Sequence, residues 1–318
     1  MSGARRAMSA LAVTVAVALP VSACATMSAV AHKAAAQGNP APVPDRSGTR
    51  LGSHLIGYTT PDFPDGMAPF RQLEKETGVA ARVATWYTPM SLPFHPQTVA
   101  RISAQGVVPI VEIDSGTTPL ARVADGEWDK HFIAYARAVA AYSSPIGIDF
   151  DHEFNGPWFR WGYAHTKAAT FVAAWRRIVW LFRENGARNV MWIWNPNVDL
   201  GDTTAIGPWY PGDQYVTYVG LDGYFVHPGQ TFSTVFGPTL RQVNAFTHKS
   251  ILITETGANP GAQRAAQIDS LFAGLEATPQ ILGFIWFDFN KYAGHDWVLQ
   301  GDMPALRAFH AAAQQYQK

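Results

Sequence analysis

From His54 onward, short apolar runs alternate with segments whose apolar residues recur at helical spacing. The runs are nearly continuous in hydrophobic residues, as strands buried on both faces must be. They read as strands at His54–Thr59, Ala81–Tyr87, Val107–Asp114, Gly147–Glu153, Val190–Trp194, Val216–Leu221, Ile251–Glu255 and Ile281–Phe289. Between them the spacing predicts helices at Ala68–Thr77, Pro96–Gln105, Trp128–Tyr142, Lys167–Glu184, Thr234–Phe246, Ala262–Leu275 and Pro304–Gln315. Trp128–Tyr142 places Phe132, Tyr135, Ala136 and Val139 on one face, and Lys167–Glu184 does the same with Phe171, Trp175, Ile178 and Phe182. Asp199–Asp213, rich in Gly and Pro, reads as a long loop.

Eight strands separated mostly by helices predict an α/β fold, a (β/α)8 TIM barrel. A doubly wound open sheet is the competing arrangement. It is disfavoured because Tyr58-Thr59-Thr60-Pro61-Asp62, after the first strand, has no glycine-rich turn to cradle a pyrophosphate.

The segment before the barrel has another character. Arg5 and Arg6 precede an apolar stretch, Ala7 to Pro20, too short to span a bilayer. Val21-Ser22-Ala23-Cys24 has the form of a lipoprotein cleavage box, and Cys24 is the single cysteine among 318 residues. Residues 1–24 are therefore expected to be a lipoprotein-type signal peptide with Cys24 as the lipidated residue, and residues 25–50 a flexible linker. Residues 51–318 form the expected barrel domain, extracytoplasmic and tethered to the cell membrane or secreted. One cysteine allows no intrachain disulfide.

Composition narrows the partners. With 24 basic and 24 acidic residues the net charge is zero, so neither nucleic acid nor an anionic membrane surface is indicated. The 11 Trp and 11 Tyr exceed what core packing requires, and many fall near strand ends, where flat apolar faces suit sugar rings.

In a parallel barrel the chemistry sits at the C-terminal strand ends. Those ends carry Trp86 and Tyr87, Glu112 and Asp114, His152 and Glu153, Asn195 and Asn197, Asp222 and Tyr224, Glu255, then Trp286 and Asp288. Glu153 and Glu255 would face each other across the mouth. Two carboxyls about 5–5.5 Å apart are what a retaining glycosidase uses. Alternation along the fourth strand would put Asp149, Asp151 and Glu153 on one face, so that neighbouring charge keeps Glu153 protonated. His152 would bind substrate, orient a carboxylate, or serve structure. No metal is called for: His152-Glu153 lacks the second histidine of a zinc-protease motif. No cofactor is expected.

His152-Glu153-Phe154-Asn155-Gly156 with Trp158-Phe159 and Trp161-Gly162 resembles the acid/base motif of glycoside hydrolase family 26, the β-mannanases and related β-glucanases among the retaining clan A barrels. Trp194-Asn195-Pro196-Asn197, Tyr210-Pro211-Gly212-Asp213, Gly220-Leu221-Asp222-Gly223-Tyr224, Thr254-Glu255-Thr256-Gly257 and Trp286 are similar to further family segments, in order. The resemblance implies Glu153 as acid/base and Glu255 as nucleophile, with Tyr224 hydrogen-bonded to the nucleophile. It implies His152, Asn195, Trp158 and Trp286 as sugar contacts, the two Trp by stacking. It implies an endo-acting, monomeric β-glycanase cleaving a β-linked polysaccharide or oligosaccharide, with β-mannan first, then mixed-linkage β-glucan or β-xylan. Two departures stand out. Asp149 occupies the place of a family arginine, with Arg82 as its candidate partner, and the third strand lacks the family's aromatics. The alternative from another class is a barrel that binds or helps process envelope polysaccharide without hydrolysing it.

Overall fold

The computed structural model describes residues 50–199, 201–290 and 294–318. Cys24, the expected signal peptide and residues 25–49 of the linker lie outside the described residues. Eight parallel strands close in sequence order, β1 pairing with both β2 and β8. They are β1 (Leu55–Thr59), β2 (Val83–Pro89), β3 (Val108–Asp114), β4 (Ile146–Phe150), β5 (Val190–Trp194), β6 (Tyr218–Phe225), β7 (Ile251–Ala258) and β8 (Ile281–Phe287). This is the (β/α)8 barrel that the apolar runs predict, and closure removes the edges an open sheet would keep.

The helices are α1 (Ala68–Thr77), α2 (Pro96–Ser103), α3 (Leu120–Ala124), α4 (Asp129–Tyr142), α5 (Ala168–Glu184), α6 (Phe232–Val235), α7 (Gly237–Asn244), α8 (Arg264–Glu276) and α9 (Met303–Tyr316). Most match the periodicity to within a turn. The sequence reading has no counterpart of α3, one turn that buries Leu120 and Val123. The single helix expected over Thr234–Phe246 is two, because Gly237-Pro238 starts a new helix at α7. β6 begins two residues later than expected and continues through Asp222 to Phe225. None of the described helices is long and apolar enough to cross a membrane.

Strand alternation divides the core in two. Outward residues such as Ile148, Phe150, Trp192 and Phe284 pack against the helices. Inward residues Leu55, Val83, Ile110, Met191, Ile193, Tyr218, Leu252 and Ile285 fill the lower barrel. Gly283 closes the seam. Its φ is 152°, and a Cβ there would lie 1.9 Å from the Leu55 carbonyl oxygen, so only glycine lets β8 approach β1.

Above the apolar layer the interior turns polar. Thr85, Glu112, Asp149, Asn195, Asp222 and Thr254 are all buried. The hydroxyl of Thr85 donates to Glu112 Oε1 at 2.5 Å, and Asn195 Nδ2 donates to Asp222 Oδ2 at 2.9 Å. The Thr254 hydroxyl lies 2.9 Å from Asn195 Oδ1 and 2.8 Å from Asp222 Oδ1. This layer is the floor on which the strand-end residues stand.

Candidate active site

Two local irregularities bring the paired carboxylates inward. β4 ends at Phe150, and Asp151 and Glu153 then take φ of 55° and 50°, a left-handed backbone that costs a non-glycine residue about 1–3 kcal/mol. The expected shared face of Asp149, Asp151 and Glu153 is therefore broken. Asp151 turns toward the third loop, where its Oδ1 accepts the Ser115 N–H at 2.7 Å. Glu153 is held at the mouth by its own N–H, which donates to the Asn195 carbonyl at 2.7 Å. On the opposite side a register shift between Leu221 and Asp222 pairs Leu221 with Ile253 and Asp222 with Glu255. Thr254 and Glu255 thus both contact interior groups, which strict alternation forbids.

The two glutamates meet. One oxygen of Glu153 and one of Glu255 lie within 4.8 Å of each other, with Asp222 in the same group. Their hydrogen-bond partners differ in kind. Glu255 accepts a phenol hydroxyl on each oxygen, Tyr87 on Oε1 and Tyr224 on Oε2. Glu153 accepts Trp158 Nε1 on Oε2 at 2.6 Å and Asn197 Nδ2 on Oε1. Burial first, and then the negative charge of Glu255, raise the Glu153 pKa to about 7, against the lowering pull of His152, Asn197 and Trp158. The charge that keeps Glu153 protonated is thus the opposite carboxylate, not Asp149 or Asp151 on its own chain segment.

His152 stands between acids. Its Nδ1 is 3.3 Å from Asp114 Oδ1 and 3.6 Å from Glu112 Oε2. Burial disfavours the imidazolium, but Asp114, Glu112 and Glu153 outweigh it and raise the His152 pKa well above its ordinary value. Phe159 and Trp161 stack on each other at 4.4 Å and flank the imidazole at 4.9 and 5.8 Å.

Asp149 is fully buried, and neither of its oxygens has a hydrogen-bond partner. It pairs in register with Glu112 across β3 and β4. Burial raises its pKa to about 8, so at neutral pH it is mostly an uncharged acid. Arg82 is not its partner. It precedes β2 at the other end of the barrel, exposed beside Arg50 and Gly106. Burial outweighs the lowering pull of His152 and leaves the proton on Asp149.

The aromatic expectations divide. Trp158 is 42% exposed, with its N–H on Glu153, so its open face lies beside the acid. Trp286 is 0% exposed, and its indole points outward to Phe309 of α9 while Nε1 donates to the Trp297 carbonyl at 2.9 Å. It offers no face to a sugar, which corrects its expected stacking role. The reason is parity: inward Ile285 leaves Trp286 on the helix side of β8. Asn195 is 1% exposed and engaged with Asp222 and Thr254, so it supports the floor and does not contact substrate as expected. Trp286→Ala is expected to cost about 3–5 kcal/mol of stability in urea unfolding. Trp158→Ala should leave the unfolding midpoint within error and weaken glycan binding.

Tyr87, Asn197, Glu112 and Asp114 appear in the sequence as strand-end residues without an assigned task. Tyr87 shares its strand's inward parity with Val83 and Thr85, which is the signal that marks it. Asn197 follows the end of β5 and is bridged to Asp222, a placement that depends on the tertiary pairing. Two sets of side chains, Glu112, His152 and Glu255 or Glu153, Asp222 and Glu255, bring ligand atoms within 4.8 Å. Both include Glu255, whose oxygens already accept the two tyrosines, and a carboxylate-pair hydrolysis requires no ion.

Residues 136–262 match the model of the family described as Glycosyl hydrolase family 26. The chain is 32% identical over 204 residues, 60% of its length, to "Endoglucanase H" of Acetivibrio thermocellus, of which it covers 22%. It is 36% identical over 84 residues, 24% of its length, to "Mannan endo-1,4-beta-mannosidase A and B" of Caldalkalibacillus mannanilyticus, of which it covers 16%. The chain thus spans less than a quarter of the length of these curated relatives. Among solved structures, an endo-beta-1,4-mannanase of Cellulomonas fimi superposes with a TM-score of 0.63 at 21% identity, covering 82% of this chain and 70% of that one. A GH26 beta-mannanase of Bacteroides ovatus gives 0.62 at 16% identity, covering 86% and 91%. The segment matched to the family model contains Glu153, Tyr224 and Glu255, the barrel is the fold of the solved mannanases, and over that segment the chain is similar to glycoside hydrolase family 26.

Proposed function

We propose that the protein is an endo-acting β-glycanase that cleaves β-linked polysaccharide with retention, Glu153 serving as acid/base and Glu255 as nucleophile. The observation that carries this reading is the close approach of the two carboxyls, within 4.8 Å, each with its own set of donors. That spacing is nearer the roughly 5–5.5 Å of retaining pairs than the roughly 6.5–9.5 Å of inverting ones, and fits direct attack.

In the first step a Glu255 oxygen bonds to the anomeric carbon as the bond from that carbon to the glycosidic oxygen breaks, and Glu153 gives its proton to that oxygen, so the leaving sugar departs as an alcohol. The phenols of Tyr87 and Tyr224 aim the nucleophile and disperse its charge until it attacks. Burial and the charge of Glu255 together raise the Glu153 pKa, and once Glu255 is esterified only burial remains. Glu153, now ionised, takes a proton from water as the water oxygen bonds to the anomeric carbon and the bond from that carbon to Glu255 breaks, which releases the sugar, restores the Glu255 carboxylate and leaves Glu153 protonated. The open face of Trp158 supports a sugar ring, and His152, held by Asp114 and Glu112, borders the cleavage point.

β-Mannan is the first substrate, on the strength of the mannanases among the relatives, with mixed-linkage β-glucan next, on that of the endoglucanase, and β-xylan last. Acylation at Cys24 would tether the monomeric enzyme outside the cytoplasmic membrane. Reducing-end release from β-mannan, mixed-linkage β-glucan, xylan and cellulose tests the activity. Release from one of them, absent in Glu255→Ala, is the expected result. Affinity for a glycan with no release over long incubation would instead identify a non-hydrolytic glycan-binding barrel.

A further inference from the structure

Charge is distributed unevenly around the mouth of the barrel. The chain as a whole holds equal numbers of acidic and basic residues, yet Phe154 to Arg183 contains no Asp or Glu and five Lys or Arg. Three of the five are engaged within the fold. Arg177 pairs with Asp129 at 2.6 Å, Arg176 donates to the Pro211 carbonyl, and Arg183 to that of Gln214. Arg160 and Lys167 are exposed, and among the described residues neither has an ion pair.

These two cations share a cavity. It measures about 700 Å³ and is bounded by Thr117 and Thr118 of the loop after β3, and by Arg160, His165, Lys167 and Thr170. No carboxylate lines it. Within the loop after β4 the Thr166 hydroxyl donates to the Arg160 carbonyl at 3.2 Å. The 17-residue helix α5 begins at this wall with Lys167 at its N-cap, no side-chain cap and no acidic residue in its first turn. Its positive end adds to the two cations.

The cavity is on the substrate's side of the molecule. Both of its loops leave strand ends that supply site residues, Asp114 from β3 and His152 and Glu153 after β4. Arg160 lies between Phe159 and Trp161, which flank His152, and two residues after Trp158, which is bonded to Glu153. The cavity thus lies between the two loops that also carry the cleavage site, and it is equipped with hydroxyls, an imidazole and two cations. A neutral sugar has no use for two cations. We infer that this cavity is a subsite for a sugar unit carrying a carboxylate, so that the polysaccharide cleaved contains uronic-acid units at a fixed distance from the scissile bond. The inference rests on the glycanase reading and specifies its substrate class. The crowd of carboxyls at the cleavage point disfavours an anionic sugar there and so confines the uronate to the cavity.

Binding separates this inference from the activity. The probes are β-mannan and mixed-linkage β-glucan, each compared with a preparation whose C6 hydroxyls have been partly oxidised to carboxylates. In affinity electrophoresis at low salt, the oxidised form of the cleaved glycan is expected to bind about tenfold more tightly than its parent, from two exposed charge contacts. The gain should shrink as salt is raised, since exposed pairs are screened. It should vanish in the Arg160→Ala/Lys167→Ala double variant, in which oxidised and parent glycan should bind equally. Equal binding of oxidised and parent glycans by the wild type overturns the inference, and so does a preference that survives in the double variant. Cleavage of the parent without any preference sinks the cavity alone. No cleavage of any glycan sinks the glycanase, while the binding comparison still decides the cavity.

Discussion

Glu255→Ala is expected to lower kcat on the cleaved glycan by at least about 10^4, equivalent to about 5.5 kcal/mol of activation free energy. In the proposed mechanism the side chain supplies the bond-forming oxygen, and its loss leaves the hydroxyls of Tyr87 and Tyr224 without that acceptor. No neighbouring acid replaces it. Asp222, the third member of the group, is buried and bonded to Asn195 and Thr254, and burial first and the charge of Glu255 next hold its pKa well above the ordinary range. The variant has a second consequence. With the charge of Glu255 gone, the Glu153 pKa should fall from about 7 toward the usual glutamate range. Carbon-13 NMR titration of the Glu153 carboxyl in wild type and variant would read that shift. Wild-type turnover in Glu255→Ala would remove the carboxylate pair from the mechanism. An unchanged Glu153 titration would mean that burial alone sets its pKa.

Glu153→Ala is expected to depend on the leaving group. Polysaccharide cleavage needs the oxygen to be protonated as it departs, and loss of a general acid costs about 10^2–10^4. An aryl glycoside with an acidic phenol departs without that help, so its glycosylation step should be nearly unaffected. Pre-steady-state release of the phenol would show this as a burst followed by slow turnover. A polysaccharide rate that stays at wild type refutes the role. The pH dependence follows from the same group. Glu153 acts in its protonated form, and its raised pKa keeps it protonated up to about 7. Activity on polysaccharide should therefore fall as pH rises through about 7, and the limb should be missing from Glu153→Ala assayed on the aryl glycoside. A limb carried over unchanged would belong to another group, and Asp149, whose pKa is about 8, is the first to examine.

Much of the architecture was legible in the sequence because a parallel barrel writes itself into the chain twice. Strands buried on both faces need uninterrupted apolar runs, and helices covering them need a 3.6-residue period. Phe171, Trp175, Ile178 and Phe182 are buried along α5 as their spacing required. The strand-end carboxyls were legible for a related reason: in apolar runs that end in Glu, the polar residue has little packing use. What misled was alternation carried too far. It puts Asp151 and Glu153 with Asp149, whereas two left-handed residues redirect the chain after β4. It also separates Thr254 from Glu255, whereas the shifted register turns both inward. Trp286 failed as a sugar platform because composition near a strand end does not say which face the ring takes.

The sequence by itself determined the barrel and the order of its strands, and it marked two glutamates as candidates, because each follows from local periodicity or from a residue type at a strand end. The tertiary structure alone decided the rest. It set the distance between Glu153 and Glu255, gave Tyr87 and Asn197 their tasks, withdrew Trp286 and Asn195 to structural positions, and left Asp149 neutral without Arg82. These depend on strand register, on backbone irregularities and on burial, which arise between segments far apart in the chain and leave no period in it to read.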